Sequence, residues 1–217
     1  MNAQAELPLV LGHGQPFAHP HQLALPLDQP CDAPAHLIVT RSNAAAVSLL
    51  ERPECWPSRA MVLAGPRRSG RSLHARLAAA NGARVLGGVD RRDEEQVFDA
   101  WNAAQAGGAP LLMIADHLPP TWSPRLPDLR SRLAACALAA LGDPDDEMAD
   151  TLLEHLLLRR GIASTETLRT EARRPLERTH LALVRFADAV ESAAPLTRDS
   201  IRRAHATMSP APHARAA

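Results

Sequence analysis

Eight residues, Gly65-Pro66-Arg67-Arg68-Ser69-Gly70-Arg71-Ser72, carry the pattern by which a backbone loop holds phosphate. In such a loop the glycines let successive N–H groups face an anion, a cation reaches the outer phosphates, and a hydroxyl helps hold Mg²⁺. The pattern G-x-x-x-x-G-K-[ST] is met except at one position, where Arg71 replaces lysine. A guanidinium is a planar fork and an ammonium a compact point charge, so the exchange keeps the sign and changes the geometry. All 24 Lys+Arg residues are arginine, and compositional drift is therefore a sufficient source of the change. The loop reads as a site for ATP or ADP with Mg²⁺ in which catalysis is relaxed.

The matching half of such a site is an acidic residue at the end of a buried strand. Asp116, directly after the apolar run Leu111-Leu112-Met113-Ile114-Ala115, fits that role and joins Ser72 as an expected Mg²⁺ ligand. Hydrolysing enzymes of this type often carry a second acid next, to polarise the attacking water; here the residue is His117, so weak or absent self-hydrolysis is expected. Arg130-Ser131-Arg132-Leu133 falls near the end of a short helix, a place that can project an arginine outward. Its spacing alone fits a solvated face, or a charge supplied in trans to a phosphoryl group. Gln22-Leu23-Ala24-Leu25-Pro26-Leu27 is apolar, with leucines at alternate positions. It suits an extended ligand for a partner's pockets or an edge strand on its own domain.

These residues need a scaffold, and the apolar pattern describes one. Leu37-Ile38-Val39, Met61–Ala64, Arg84–Leu86, Leu111–Ala115 and Ala137–Leu141 read as strands. Between them lie a helix capped by Ser42 or Asn43 with Ala46, Leu49 and Leu50 on one side, a helix through Leu73 and Leu77, and one from about Asp93 to Gln105. Alternating strands and helices predict an α/β domain with a parallel sheet. After Gly142 the pattern turns all-helical, with helices expected over Asp143–Arg160, Thr165–Arg173, Pro175–Glu191 and Arg198–Ala206. The division is a Pro- and His-bearing arm over 1–21, the peptide 22–27, an α/β core over 35–142, a helical domain over 143–206 and a Pro/Ala-rich tail over 207–217.

Composition narrows the classes. Zero formal charge and 3% aromatic residues argue against nonspecific nucleic-acid binding. Three widely spaced cysteines, Cys31, Cys55 and Cys136, give neither a disulfide framework nor a zinc motif, and no apolar run reaches eighteen residues. A cytoplasmic location without membrane contact is expected.

From Gln22 to about Ala206 the order of motifs resembles the Hda (HdaA) family of DnaA-homologous regulators, within the AAA+ ATPases. The resemblance is carried by Gln22–Leu27, Ile38-Val39-Thr40-Arg41-Ser42-Asn43-Ala44-Ala45-Ala46, Cys55-Trp56-Pro57, the loop at Gly65, Asp116 and Leu126-Pro127-Asp128-Leu129-Arg130-Ser131-Arg132-Leu133. It implies a P-loop AAA+ core followed by a helical lid, and an adaptor role in restraining replication initiation. Gln22, Leu23, Leu25, Pro26 and Leu27 would bind the sliding clamp, the β subunit of DNA polymerase III, so that DNA is met only through the clamp. Arg132 would be an arginine finger acting on ATP held by DnaA, and Arg174 a lid arginine sensing nucleotide. A homodimer is compatible with the family. The competing reading is a stand-alone P-loop NTPase or clamp-loader-like subunit.

Overall fold

The protein is described by a computed structural model covering residues 37–190 and 195–208. The arm, the peptide Gln22–Leu27, Cys31 and the tail expected beyond Met208 lie outside these residues. Four parallel strands, β1 (Ala60–Ala64), β2 (Arg84–Gly87), β3 (Leu111–Ala115) and β4 (Ala137–Ala140), form one sheet in the order β2-β3-β1-β4. The two inner strands are the continuously apolar ones: every residue of β1 is buried, and Ile114 is the one partly exposed residue of β3. Burial on both faces removes the polar alternation found in half-exposed strands. The outer strands β2 and β4 keep exposed positions and carry weaker apolar runs.

Successive side chains of a strand leave opposite faces, and β1 distributes its residues accordingly. Val62 and Ala64 pack with Met113 of β3, with Val97, Ala100 and Ala104 of α3 (Glu94–Gln105), and with Leu129 and Leu133 of α4 (Pro127–Ala134). Met61 and Leu63 pack with Ala46 and Leu50 of α1 (Ala44–Leu50) and with Ala75 and Ala78 of α2 (Arg71–Ala80). Helices therefore cover both faces, and each fully buried leucine contributes about 1.5–3 kcal/mol.

Four further helices follow β4: α5 (Asp146–Leu158), α6 (Glu166–Arg173), α7 (His180–Ala189) and α8 (Arg198–Met208). They share a separate apolar cluster that includes Leu153, Leu157, Ile162, Leu183, Phe186 and Ile201. The side chains of Asp145, Thr165 and Thr179 accept from backbone N–H groups at the starts of α5, α6 and α7. Among the described residues no helix is long and apolar enough to cross a membrane. Cys55 is exposed and Cys136 buried, and both are free; burial pushes the Cys136 thiol up to about 11.

Three local expectations fail for identifiable reasons. Leu37-Ile38-Val39 is not a strand. The Asn43 side chain donates to the Ile38 carbonyl at 2.9 Å and accepts from the Thr40 N–H at 2.9 Å, folding this segment into a turn before α1. In α1 the buried face is Ala46, Val47 and Leu50, and Leu49 faces outward. The helix expected from Pro175 begins only at His180, because Thr179 is in an extended conformation and its hydroxyl caps the Ala182 N–H.

Candidate functional site

The glycine loop joins the C-terminal end of β1 to α2, the setting in which backbone amides and a helix N-terminus converge on an anion. Gly65 is packed so closely that a Cβ there would lie 2.7 Å from Ser69 Oγ and 2.9 Å from Leu141 Cβ. Gly70 has φ +82°, a left-handed conformation that glycine adopts without a Cβ penalty. It caps α2 without any side-chain bond. Ser69 is buried, and its hydroxyl has no partner among the described residues. A buried hydroxyl without a partner is costly, which makes this wall of the loop receptive to a polar ligand.

Arg71 does not extend along the loop as a lysine would. Its Nη1 donates to the Ala115 carbonyl at 2.7 Å and to Asp116 Oδ1. Arg91 Nη1 lies 2.8 Å from the other carboxylate oxygen, and the Asp90 side chain accepts from the Asp116 backbone N–H at 3.0 Å. The Arg71 hydrogen bond, assisted by the charges of Arg71 and Arg91, holds the Asp116 carboxyl below its usual range. Ser72 and Asp116 are the expected magnesium ligands, and these surroundings do not fit the ion. Both carboxylate oxygens are taken by guanidinium groups, and a dication placed there would be repelled by two cations.

Arg71 also lines a cavity of about 510 Å³ that runs from the loop to α5 and α7. One end is polar backbone and hydroxyl from Ser69 to Ser72; elsewhere Ile38, Leu152, Leu156 and Val184 supply apolar wall. An anion-binding end with an apolar remainder suits a phosphorylated molecule that carries a flat or greasy group. His74 and His180 belong to the same wall. With Nδ1–H directed to the Gly70 carbonyl at 3.0 Å, the neutral His74 ring leaves Nε2 facing the Asn43 amide at 3.4 Å. Burial lowers the pKa of both histidines. A concavity of about 710 Å³ on α6, α7 and α8 is larger but contains no part of the loop.

The remaining sequence candidates are dispersed. Arg132 does not project from α4: its guanidinium lies 4.0 Å from the Phe98 ring centre and 4.4 Å from that of Trp101, and Nη1 donates to the Asn102 side chain. The aromatic face of α3 captures it, a partner that spacing within α4 does not reveal. Arg174 is exposed at the end of α6 and is not among the residues lining the loop cavity, where Arg159, just after α5, stands instead. His117 is exposed. Arg91, His74 and His180 escaped the motif reading, and Asn43 entered it only as a helix cap and as part of the Ile38–Ala46 motif. Arg91 had a usable signal, since it lies just past the C-terminal end of the strand beside β3, where α/β sheets gather ligand-binding groups.

No protein-family model matches the chain, and no curated protein matches it. Solved structures do. Domain III of the replication initiation protein DnaA from Thermotoga maritima is 13% identical, with 75% of this chain and 88% of that chain covered at a TM-score of 0.62. AMPPCP-bound DnaA from Aquifex aeolicus is 10% identical, with 83% and 70% covered and a TM-score of 0.64. The RuvB Holliday junction branch migration motor of Thermotoga maritima is 12% identical, with 78% and 70% covered and a TM-score of 0.53. The chain shares the fold of these DnaA and RuvB structures, a parallel sheet flanked by helices.

Proposed function

We propose that this protein is an adaptor in the control of replication initiation that binds the sliding clamp and stimulates ATP hydrolysis by DnaA, with little ATP turnover of its own. The observation that carries the reading is the ion pair between Arg71 and Asp116, which withdraws from catalysis the two charged groups a hydrolysing loop needs. The fold shared with DnaA structures supports a partner of the same architecture. Residues Gln22, Leu23, Leu25, Pro26 and Leu27 supply the clamp contact in this reading.

Arg132 is the residue assigned to DnaA's nucleotide, and it must first leave Phe98 and Trp101. Each such contact is worth about 0.5–2 kcal/mol, a cost that docking at the α3–α4 edge can offset. The test combines clamp on DNA, ATP-bound DnaA and this protein, and follows ATP converted to ADP. Stimulation is expected, with loss on Arg132→Ala and on the double change Leu25→Ala, Leu27→Ala. Equal stimulation by all three proteins would sink the reading. Rapid ATP turnover by this chain alone would instead identify a stand-alone P-loop NTPase.

A further inference from the structure

In a lysine-bearing loop, Mg²⁺ is held by the loop hydroxyl and by a strand-end carboxylate free to take up a cation. Here Asp116 already has two. The Arg71 side chain is 20% exposed and tied to two acceptors, whereas Arg91 is 70% exposed, so Arg71 is the fixed member of the pair. A guanidinium offers five N–H donors in a planar fork, and Arg71 spends only Nη1 on Ala115 and Asp116. Among the described residues Nε and Nη2 have no acceptor, and they remain for oxygens of a ligand on the loop. Ser69, 5% exposed and with no partner for its hydroxyl among the described residues, lines the same cavity, and Arg67 and Arg68 add positive charge to the loop.

Resting on the reading of this cavity as a nucleotide site, we infer that the chain binds a nucleoside diphosphate without a divalent cation, with Arg71 held in the place the metal would serve. Asp116 here orients a guanidinium, and the β-phosphate takes its compensating charge from protein alone. Arg71→Lys reverses this, because one ammonium nitrogen cannot serve Asp116 and the phosphate as the separate nitrogens of the guanidinium do; drawn to the phosphate, it leaves the Asp116 carboxylate beside only the exposed Arg91 and open to Mg²⁺.

The experiment uses the full chain freed of nucleotide and titrates ADP calorimetrically in excess Mg²⁺ and in EDTA, with AMP as the control that lacks the second phosphate. ADP affinity of the parent should agree within about twofold between the two conditions, and Arg71→Lys should bind about tenfold more tightly with Mg²⁺ than with EDTA. Mn²⁺ provides a second readout: its water-proton relaxation should be unchanged by the parent with ADP and enhanced by Arg71→Lys. A tenfold or greater loss of parent affinity in EDTA, or Mn²⁺ enhancement with the parent, would overturn the inference. If the parent binds no ADP, the inference falls together with the nucleotide reading of the cavity, and the clamp and DnaA assay is unaffected. Parent titrations decide the matter even if Arg71→Lys melts early.

Discussion

A Cβ added at Gly65 would meet Ser69 Oγ at 2.7 Å, Leu141 Cβ at 2.9 Å and the Leu141 carbonyl oxygen at 3.2 Å. The serine can rotate away, but Leu141 Cβ and its carbonyl are fixed to the backbone that follows β4. Gly65→Ala should therefore push the loop off the sheet and lower stability by about 1–3 kcal/mol, the usual cost of overpacking. Gly142 has nothing within 4 Å and no left-handed backbone, so Gly142→Ala should stay within about 0.5 kcal/mol of the parent. Urea unfolding of the two variants makes the comparison, and equal midpoints would mean that the loop is not held against Leu141. The loop and Asp116 were legible in the sequence because backbone turns and strand ends follow residue type. Where the arginines point was not. Arg71, Arg91 and Arg132 choose partners 45, 25 and 30 positions away, respectively Asp116, Asp116 again and Asn102, and no local pattern encodes a long side chain's direction.

Among the elements, α6 is held to α5 by a polar contact as well as by apolar packing. It has eight residues, and Arg169 on its buried side sends Nη2 to Asp150 Oδ2 at 2.8 Å and Nη1 to Glu154 at 3.1 Å, both on α5. The guanidinium side chain is 8% exposed while Asp150 and Glu154 are 23% and 44% exposed, so water still screens the acids. Removing the cation from a fully buried pair costs about 3–5 kcal/mol; with these hydrated partners, Arg169→Met should cost nearer 2 kcal/mol. Arg169→Lys should recover only part of it, since one ammonium cannot engage both carboxylates in the same fork. Chemical denaturation would measure both, and a neutral Arg169→Met would show that apolar packing alone fixes α6. Element types were readable where burial is uniform, as in β1 and β3. They were misread where a side chain overrides the pattern, as Asn43 does at Ile38 and Thr179 does ahead of α7.

Across the whole molecule, acid should act first through the cavity wall shared by the sheet and the later helices. His74 is buried against the Gly70 carbonyl and the Asn43 amide, and His180 has a buried Nδ1 with no partner among the described residues. Desolvation lowers both pKa values, with Gly70 opposing the shift at His74, and Asp143 opposing and His74 adding to it at His180. The unfolded chain takes up these protons near the ordinary value of 6.5, and the folded chain only below it. Unfolded protein therefore binds more protons across that interval, and stability is complete above it and falls as pH drops. A second loss follows at lower pH. Asp145, held down first by the Met148 N–H and bonded also to the Ser42 N–H, and Asp116, held down first by Arg71, both have folded values below 3.8. Melting temperature should fall between about pH 7.5 and 5.5, before the carboxylates titrate, and His180→Leu should flatten that limb while leaving the more acidic one in place. A parent melting temperature that is constant or rises over this interval, or an undiminished slope in His180→Leu combined with His74→Gln, would show that the two rings are not what acid attacks.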